Sequence, residues 1–246
     1  MGEAKRRKTS GENVPRKRTD KSDKGGKWMM IGGIVALLLV VMVVWWVTQP
    51  PEPTSDALPD VSADAEPFPA TFDSVGVSIG DADAPVVVRE FADYQCPACA
   101  RFAPASKRLR DEYVKSGQVR LVFYDLPLTQ HEYAQEAALA ARCAADQDAF
   151  WPMHDRLFEH QGEWSSSSDP VGTFARYADE LGLDSRRLER CVETELHRQD
   201  ISQSVGVAQQ LRVASTPTVY VDNIRLTRPG WAQMQAVIER ELAAQP

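Results

Sequence analysis

Cysteine and histidine are scarce in this 246-residue chain, with four of each. That scarcity limits what Cys96 and Cys99, in the stretch "FADYQCPACARFAP", can do. A closed structural zinc site takes four ligands, usually from a second CxxC or a nearby histidine pair. Cys143 and Cys191 are far along the chain, and His131, His154, His160 and His197 are not spaced as such a set, so no metal is expected. A stitch across three residues would tie down little chain, so a purely structural disulfide is a weak reading. Reversible thiol chemistry remains.

Other absences fix where that chemistry takes place. Charge is missing from Trp28 to Val47, "WMMIGGIVALLLVVMVVWWV". As a helix these twenty residues cover a bilayer core of roughly 30 Å. Trp28 and Trp45–Trp46 stand at the two ends, where indole rings favour the headgroup zone. No small-x-small cleavage motif follows in "WWVTQPPEP", which favours an anchor over the alternative of a cleaved signal peptide. No cysteine lies near the run for a lipid anchor. The whole chain carries −7, yet residues 1–27 hold ten Lys/Arg against four acids, a net of +6. A basic head could contact nucleic acid, but beside an apolar run it reads as an orientation signal, and no nucleic-acid partner is expected. The expectation is a single-pass protein of the cell membrane, with residues 1–27 a cytoplasmic tail, 28–47 the transmembrane helix, and the rest outside the cytoplasm. Bases are missing from 48–70, which has six prolines and five acids. This is a linker, able to reach roughly 70 Å if extended. The working domain is then 71–246, in a compartment where disulfides persist.

Within it, "APVVVREFADY" gives a buried strand over Val86–Ala92. Pro97 suits a first helical position, and a helix kinked at Pro104 is expected from Pro97 to about Ser116, stopping at Gly117. "QVRLVFYDLPL" is a second strand, completing a strand–helix–strand unit. Helices follow over His131–Gln147 and Ala149–His160. Ser168 or Asp169 caps another through Leu181, Asp184 caps one carrying Leu188, Cys191 and Val192, and a last one reaches Leu211. Thr216–Thr227 reads as a hairpin turning at Asp222–Asn223, and Gly230–Ala243 as a closing helix. The order is β-α-β, a helical insertion of about 129–212, then β-β-α.

Cys96 just ahead of a helix sees free N–H groups and the positive end of the helix dipole, and both favour a thiolate. The dipole alone takes a thiol from about 8.5 to about 7. A stabilised thiolate favours the reduced protein, which makes the disulfide form a better oxidant. Cys143 and Cys191 suit a structural disulfide outside the cytoplasm, the alternative being two buried free thiols.

On "REFADYQCPACARFAP", "DLPLTQHEYAQEAALAARCA", "FWPMHDRLF" and "STPTVYVDN", the chain from about Gly80 to Ala243 resembles the DsbA-like thiol–disulfide oxidoreductases. The resemblance implies a thioredoxin-like α/β fold with an inserted α-helical domain. It implies an exposed attacking Cys96, a buried Cys99, a cis Thr216–Pro217 bond beside them, and Glu90 as a buried proton acceptor for Cys99. For Glu90 the residues alone leave open a solvent-facing strand end. Ala98 stands where the strong oxidants of that family carry histidine. The implied activity is disulfide formation or exchange in reduced or unfolded exported proteins, reset by a quinone-linked membrane partner. No cofactor is expected beyond the redox disulfide itself. The alternatives are a reductase or isomerase of the same fold, or a non-enzymatic module that holds polypeptides. No dimerisation segment is visible, so a monomer is expected.

Overall fold

The computed structural model describes residues 38, 39, 41, 42, 58–60 and 67–245. Leu38, Leu39, Val41 and Met42 are helical and exposed. The rest of the expected membrane span, the basic tail and most of the linker lie outside the described residues. Among the described residues no helix is long and apolar enough to cross a membrane. The chain divides into two compact units, Met1–Asp56 and Ala57–Pro246, and the redox motif lies in the second.

That unit is built on a five-stranded mixed sheet: β1 (Val77–Ile79), β2 (Val86–Ala92), β3 (Val119–Asp125), β4 (Thr218–Val221) and β5 (Ile224–Arg225), in the order β1-β3-β2-β4-β5. The β-branched run "VVVREFA" becomes the central strand, parallel to β3 and antiparallel to β4. Being central, it is covered on both faces. Val86, Val88 and Glu90 point to one face, and Arg89 and Phe91 to the other. On the first face, Val86 and Val88 pack with Phe102 and Leu109 of α1 (Pro97–Leu109) and with Met234, Val237 and Ile238 of the closing helix α8 (Trp231–Ala244). Glu90 has the apolar lateral neighbours Phe123 and Val219.

Between β3 and β4 run α2 (Ala134–Ala145), α3 (Phe150–Glu159), α4 (Gln161–Trp164), α5 (Pro170–Glu180), α6 (Ser185–Glu193) and α7 (Arg198–Gln210). Asp169 caps α5 by accepting the Gly172 N–H at 2.9 Å, and Asp184 caps α6 through Arg187 N–H, also at 2.9 Å. A side chain at Gly172 would meet the Asp169 carboxylate at 2.2 Å, so the carboxylate would have to shift to admit one.

Three features differ from expectation. The helix after Cys96 is α-helical only to Leu109, running through Pro104; Arg110–Val114 forms a π turn, closed by Lys115 N–H to the Arg110 carbonyl. It ends at Gly117, whose φ of 77° is one glycine adopts readily. Strand β1 and the 3₁₀ turn Ala70–Ser74 were not anticipated. Packing also reaches back into the segment read as linker. Phe68 is buried against Phe91, Tyr124 and Tyr220, with the Arg89 guanidinium over its ring at 4.3 Å. The Pro59 carbonyl accepts a hydrogen bond from Arg240 of α8. Beneath Phe68, the buried Asp73 binds Arg89 through both oxygens, at 2.6 and 2.8 Å, and also takes Arg120 and Tyr124.

Candidate active site

Cys96 is the N-cap residue of α1, in extended backbone, and Pro97 occupies the first turn. The Cys96 carbonyl accepts Ala100 N–H, so its sulfur stands over amide protons that have no helical partner. Gln161 of α4 pins the loop from across the insertion, donating to the carbonyls of Tyr94 at 2.7 Å and Cys96 at 3.0 Å. The buried Asp93 carboxylate fixes the loop's other side, accepting from Gln95 N, Leu128 N and His131 Nδ1 at 2.7–2.8 Å.

Both cysteines of the motif are free thiols. Cys99 is buried as expected, but Cys96 exposes only 8% of its surface and is not the open sulfur the resemblance implies, because Thr216–Pro217 packs against it. The Cys96 thiol is pushed down to about 5. The main cause is the Cys99 thiol, which donates to its sulfur. Burial opposes the shift, while the Thr216 hydroxyl and the Cys99 and Ala98 N–H groups assist it. This is lower than the helix dipole alone allows, because the partner thiol supplies the donor that Ala98 lacks. Cys99 moves far the other way, through burial first and then through its donation to Cys96. One sulfur is therefore an anion near neutral pH, and the other holds its proton.

Thr216–Pro217 is a cis peptide bond, and the Thr216 carbonyl lies 3.6 Å from the Cys96 sulfur. The Thr216 hydroxyl oxygen is buried and has no hydrogen-bond partner while both cysteines are thiols, so it is free to donate to a thiolate. Ala98, Phe102, Pro217 and Trp231 line a cleft of about 550 Å3, whose charged residues are Arg101 and Arg108.

Glu90 is 1% exposed and accepts from Ser106 Oγ at 2.7 Å. It faces the interior, not the solvent. Burial raises its carboxyl to about 7, with Ser106 and Arg110 opposing. Ser106 lies seven residues beyond Cys99, about 10 Å along the helix axis. His154 is wholly buried, bonded to the Tyr94 hydroxyl at 3.0 Å, and held well below its usual range by burial and Arg110. Gln161, Ser106 and Arg110 were not anticipated. A signal existed for the last two: they are polar residues in step with Cys99, Phe102 and Leu109 on the inner face of α1.

Cys143 at the end of α2 is bonded to Cys191 of α6. His197 lies beside them, and the three bring ligand-type atoms within 4.8 Å of one another. Both sulfurs are already bonded, and both His197 nitrogens meet carboxylates, Asp200 at 2.8 Å and Asp146 at 3.0 Å. That cluster offers no free thiolate or imidazole to a metal.

The family described as Thioredoxin matches residues 73–240. The chain belongs to this thioredoxin family. Individual proteins are similar as well. The chain is 31% identical over 175 residues to "Probable disulfide bond formation protein D" of Bacillus cereus, covering 67% of this chain and 78% of that one. It is 41% identical over 147 residues to "Na(+)/H(+) antiporter NhaA 3" of Salinispora tropica, a match that covers 59% of this chain. The chain spans about a fifth (21%) of the length of the first curated relatives it matches. The crystal structure of oxidised BdbD from Bacillus subtilis superposes with a TM-score of 0.64 at 24% identity, over 77% of this chain and all of that one, and shows the same fold.

Proposed function

We propose that the protein is a thiol–disulfide oxidoreductase that forms or exchanges disulfide bonds in exported proteins. The observation that carries this reading is the asymmetry of one helix turn: an ionised Cys96 over bare amides, and a buried, protonated Cys99 beneath it. The thioredoxin-family match and the named function of the Bacillus relative support it.

In the oxidised enzyme a substrate thiolate attacks Cys96, the Cys96–Cys99 bond breaks, and Cys99 leaves with the electron pair and takes up a proton. A second substrate thiolate then attacks the substrate sulfur of the mixed disulfide and displaces Cys96 as a thiolate. The substrate is oxidised by two electrons and the Cys96–Cys99 pair is reduced by two. Thr216 and Pro217 hold the substrate chain beside the sulfurs through backbone pairing. Glu90 supplies or receives the Cys99 proton through water, since Ser106 anchors it some way along the helix.

The sign of the Cys96 shift favours oxidation. A lowered thiol pKa stabilises the folded reduced protein fully above the unfolded value of 9, and this is lost as pH falls through about 5. Part of this stabilisation remains at pH 7, where it favours the reduced form and raises the potential of the pair. The apolar run Trp28–Val47 would tether the domain to the membrane with its N-terminus in the cytoplasm, near a quinone-linked partner that reoxidises the pair. Reduced-RNase refolding and insulin reduction test the assignment: the wild type is active and Cys96→Ser is inactive in both. Activity that survives the substitution contradicts it. The measured reduction potential separates oxidase from reductase, about −120 mV marking a strong oxidant and about −270 mV a reductant.

A further inference from the structure

Below the redox pair, a cation is buried one helical turn beyond Ser106, the residue that hydrogen-bonds Glu90. Arg110, the first residue of the π turn, is 8% exposed. Its guanidinium is gripped by Asp155 of α3 and lies over the Trp151 ring, 4.8 Å from the centroid. The grip does not use Arg110 Nε, which is buried with no hydrogen-bond partner. Glu90 has the complementary remainder, for its Oε2 takes Ser106 while Oε1 is buried and without a partner. An unsatisfied buried polar atom costs about 1–3 kcal/mol, so two of opposite character on neighbouring groups call for a reason. Ser106 and Arg110 are four apart on one helix, which aims both at Glu90. The π turn begins where this cation must be turned inward, and such turns recur at functional sites.

We propose that Arg110 is a positioning residue that sets the proton affinity of Glu90, with Asp155 holding its guanidinium in place. This rests on the oxidoreductase reading, in which Glu90 manages the Cys99 proton. Glu90 has neutral neighbours on several sides. Its neighbours on β3 and β4 are Phe123 and Val219. Tyr94, just beyond its own strand, is held far above its usual range by burial and stays neutral. His154 of α3 is held neutral from the other direction, and Cys99 keeps its proton. Arg110 is then the charge that acts on Glu90, and Asp155 partly offsets it. Arg110 and Asp155 border a cleft of about 380 Å3 that Lys107 and Asp111 also line.

The test is an infrared pH titration of the Glu90 carboxyl band in the reduced full-length protein, with the band assigned by its absence in Glu90→Gln. Arg110→Met should raise the midpoint by about one pH unit, Arg110→Lys should hold it near the wild-type value, and Asp155→Asn should lower it. In disulfide-exchange assays against pH, Arg110→Met should shift the profile by the same amount, and add no shift in a Glu90→Gln background. An unmoved midpoint in Arg110→Met, a shift of the same sign in Arg110→Met and Asp155→Asn, or a shift that persists without Glu90 overturns the proposal. If Arg110→Met does not fold, the direction of the Asp155→Asn shift decides. A wild type that exchanges no disulfides contradicts the functional reading and leaves the titration result standing, so the two failures are distinct.

Discussion

The two cysteine pairs of this chain are the same element in opposite settings. Cys143 and Cys191 are 48 residues apart, sit on the helices α2 and α6 of the insertion, and are joined to each other. Cys96 and Cys99 are three apart, unjoined, at a helix start where amide protons, a neighbouring thiol and the Thr216 hydroxyl all favour negative charge. The first pair closes a long loop, worth about 4 kcal/mol against the unfolded chain; the second closes almost none. What separates a staple from a redox centre is loop length and the number of donors around one sulfur, not the chemistry of cysteine.

Substitutions should split along that line. The largest effect is expected at Cys96: Cys96→Ser should lower disulfide-exchange rates at least ~100-fold, because the reaction loses its nucleophile. Measured at pH 4, where the Cys96 thiol is protonated in the folded and the unfolded protein alike, stability in urea should hardly change. Replacing Cys143 and Cys191 together by alanine should do the reverse, lowering urea-unfolding stability by about 4 kcal/mol while Cys96 titrates as before. A drop in exchange rate as large as that of Cys96→Ser, in protein that remains folded, would erase the distinction.

Next comes Glu90. Its raised pKa stabilises the fold fully below the unfolded value of 4.5, and this is lost as pH rises through about 7. The wild type should therefore lose about 3 kcal/mol between pH 4.5 and 7 that Glu90→Gln does not lose. Parallel stability curves for the two proteins would show that Glu90 ionises as freely as a surface carboxyl. The smallest effect is expected in the insertion: Asp169→Ala removes the α5 cap and should cost about 1 kcal/mol in urea unfolding, with no change at Cys96.

Much of this arrangement is legible in the sequence because the deciding signals are local. The run Val86–Ala92 forms the strand with those bounds, since its β-branched residues are bracketed by Pro85 and the turn before Cys96. Asp169 and Asp184 cap the helices they precede, and the hairpin turns at Asp222, whose φ is 50°. What escaped notice is set by distant partners. One aromatic in an acidic, proline-rich stretch does not reveal that Phe68 covers Arg89 and Asp73, because that packing is assembled from β2, β3 and β4. The π turn at Arg110 has no composition of its own: it follows from where Asp155 and Trp151 sit on α3. Gln161 lies 65 residues from the Cys96 carbonyl it binds, too far for any local pattern. The depth of the Cys96 shift was also underestimated, because the main donor is the second cysteine of the motif and not the residue at position 98.

The central claim is that Cys96 is held as an anion by its surroundings, and ultraviolet titration of the thiolate in the reduced protein tests it most directly. The account predicts one inflection near pH 5 that disappears in Cys96→Ser and persists without Cys143 and Cys191. An inflection at the ordinary thiol value of about 8.5 would contradict it.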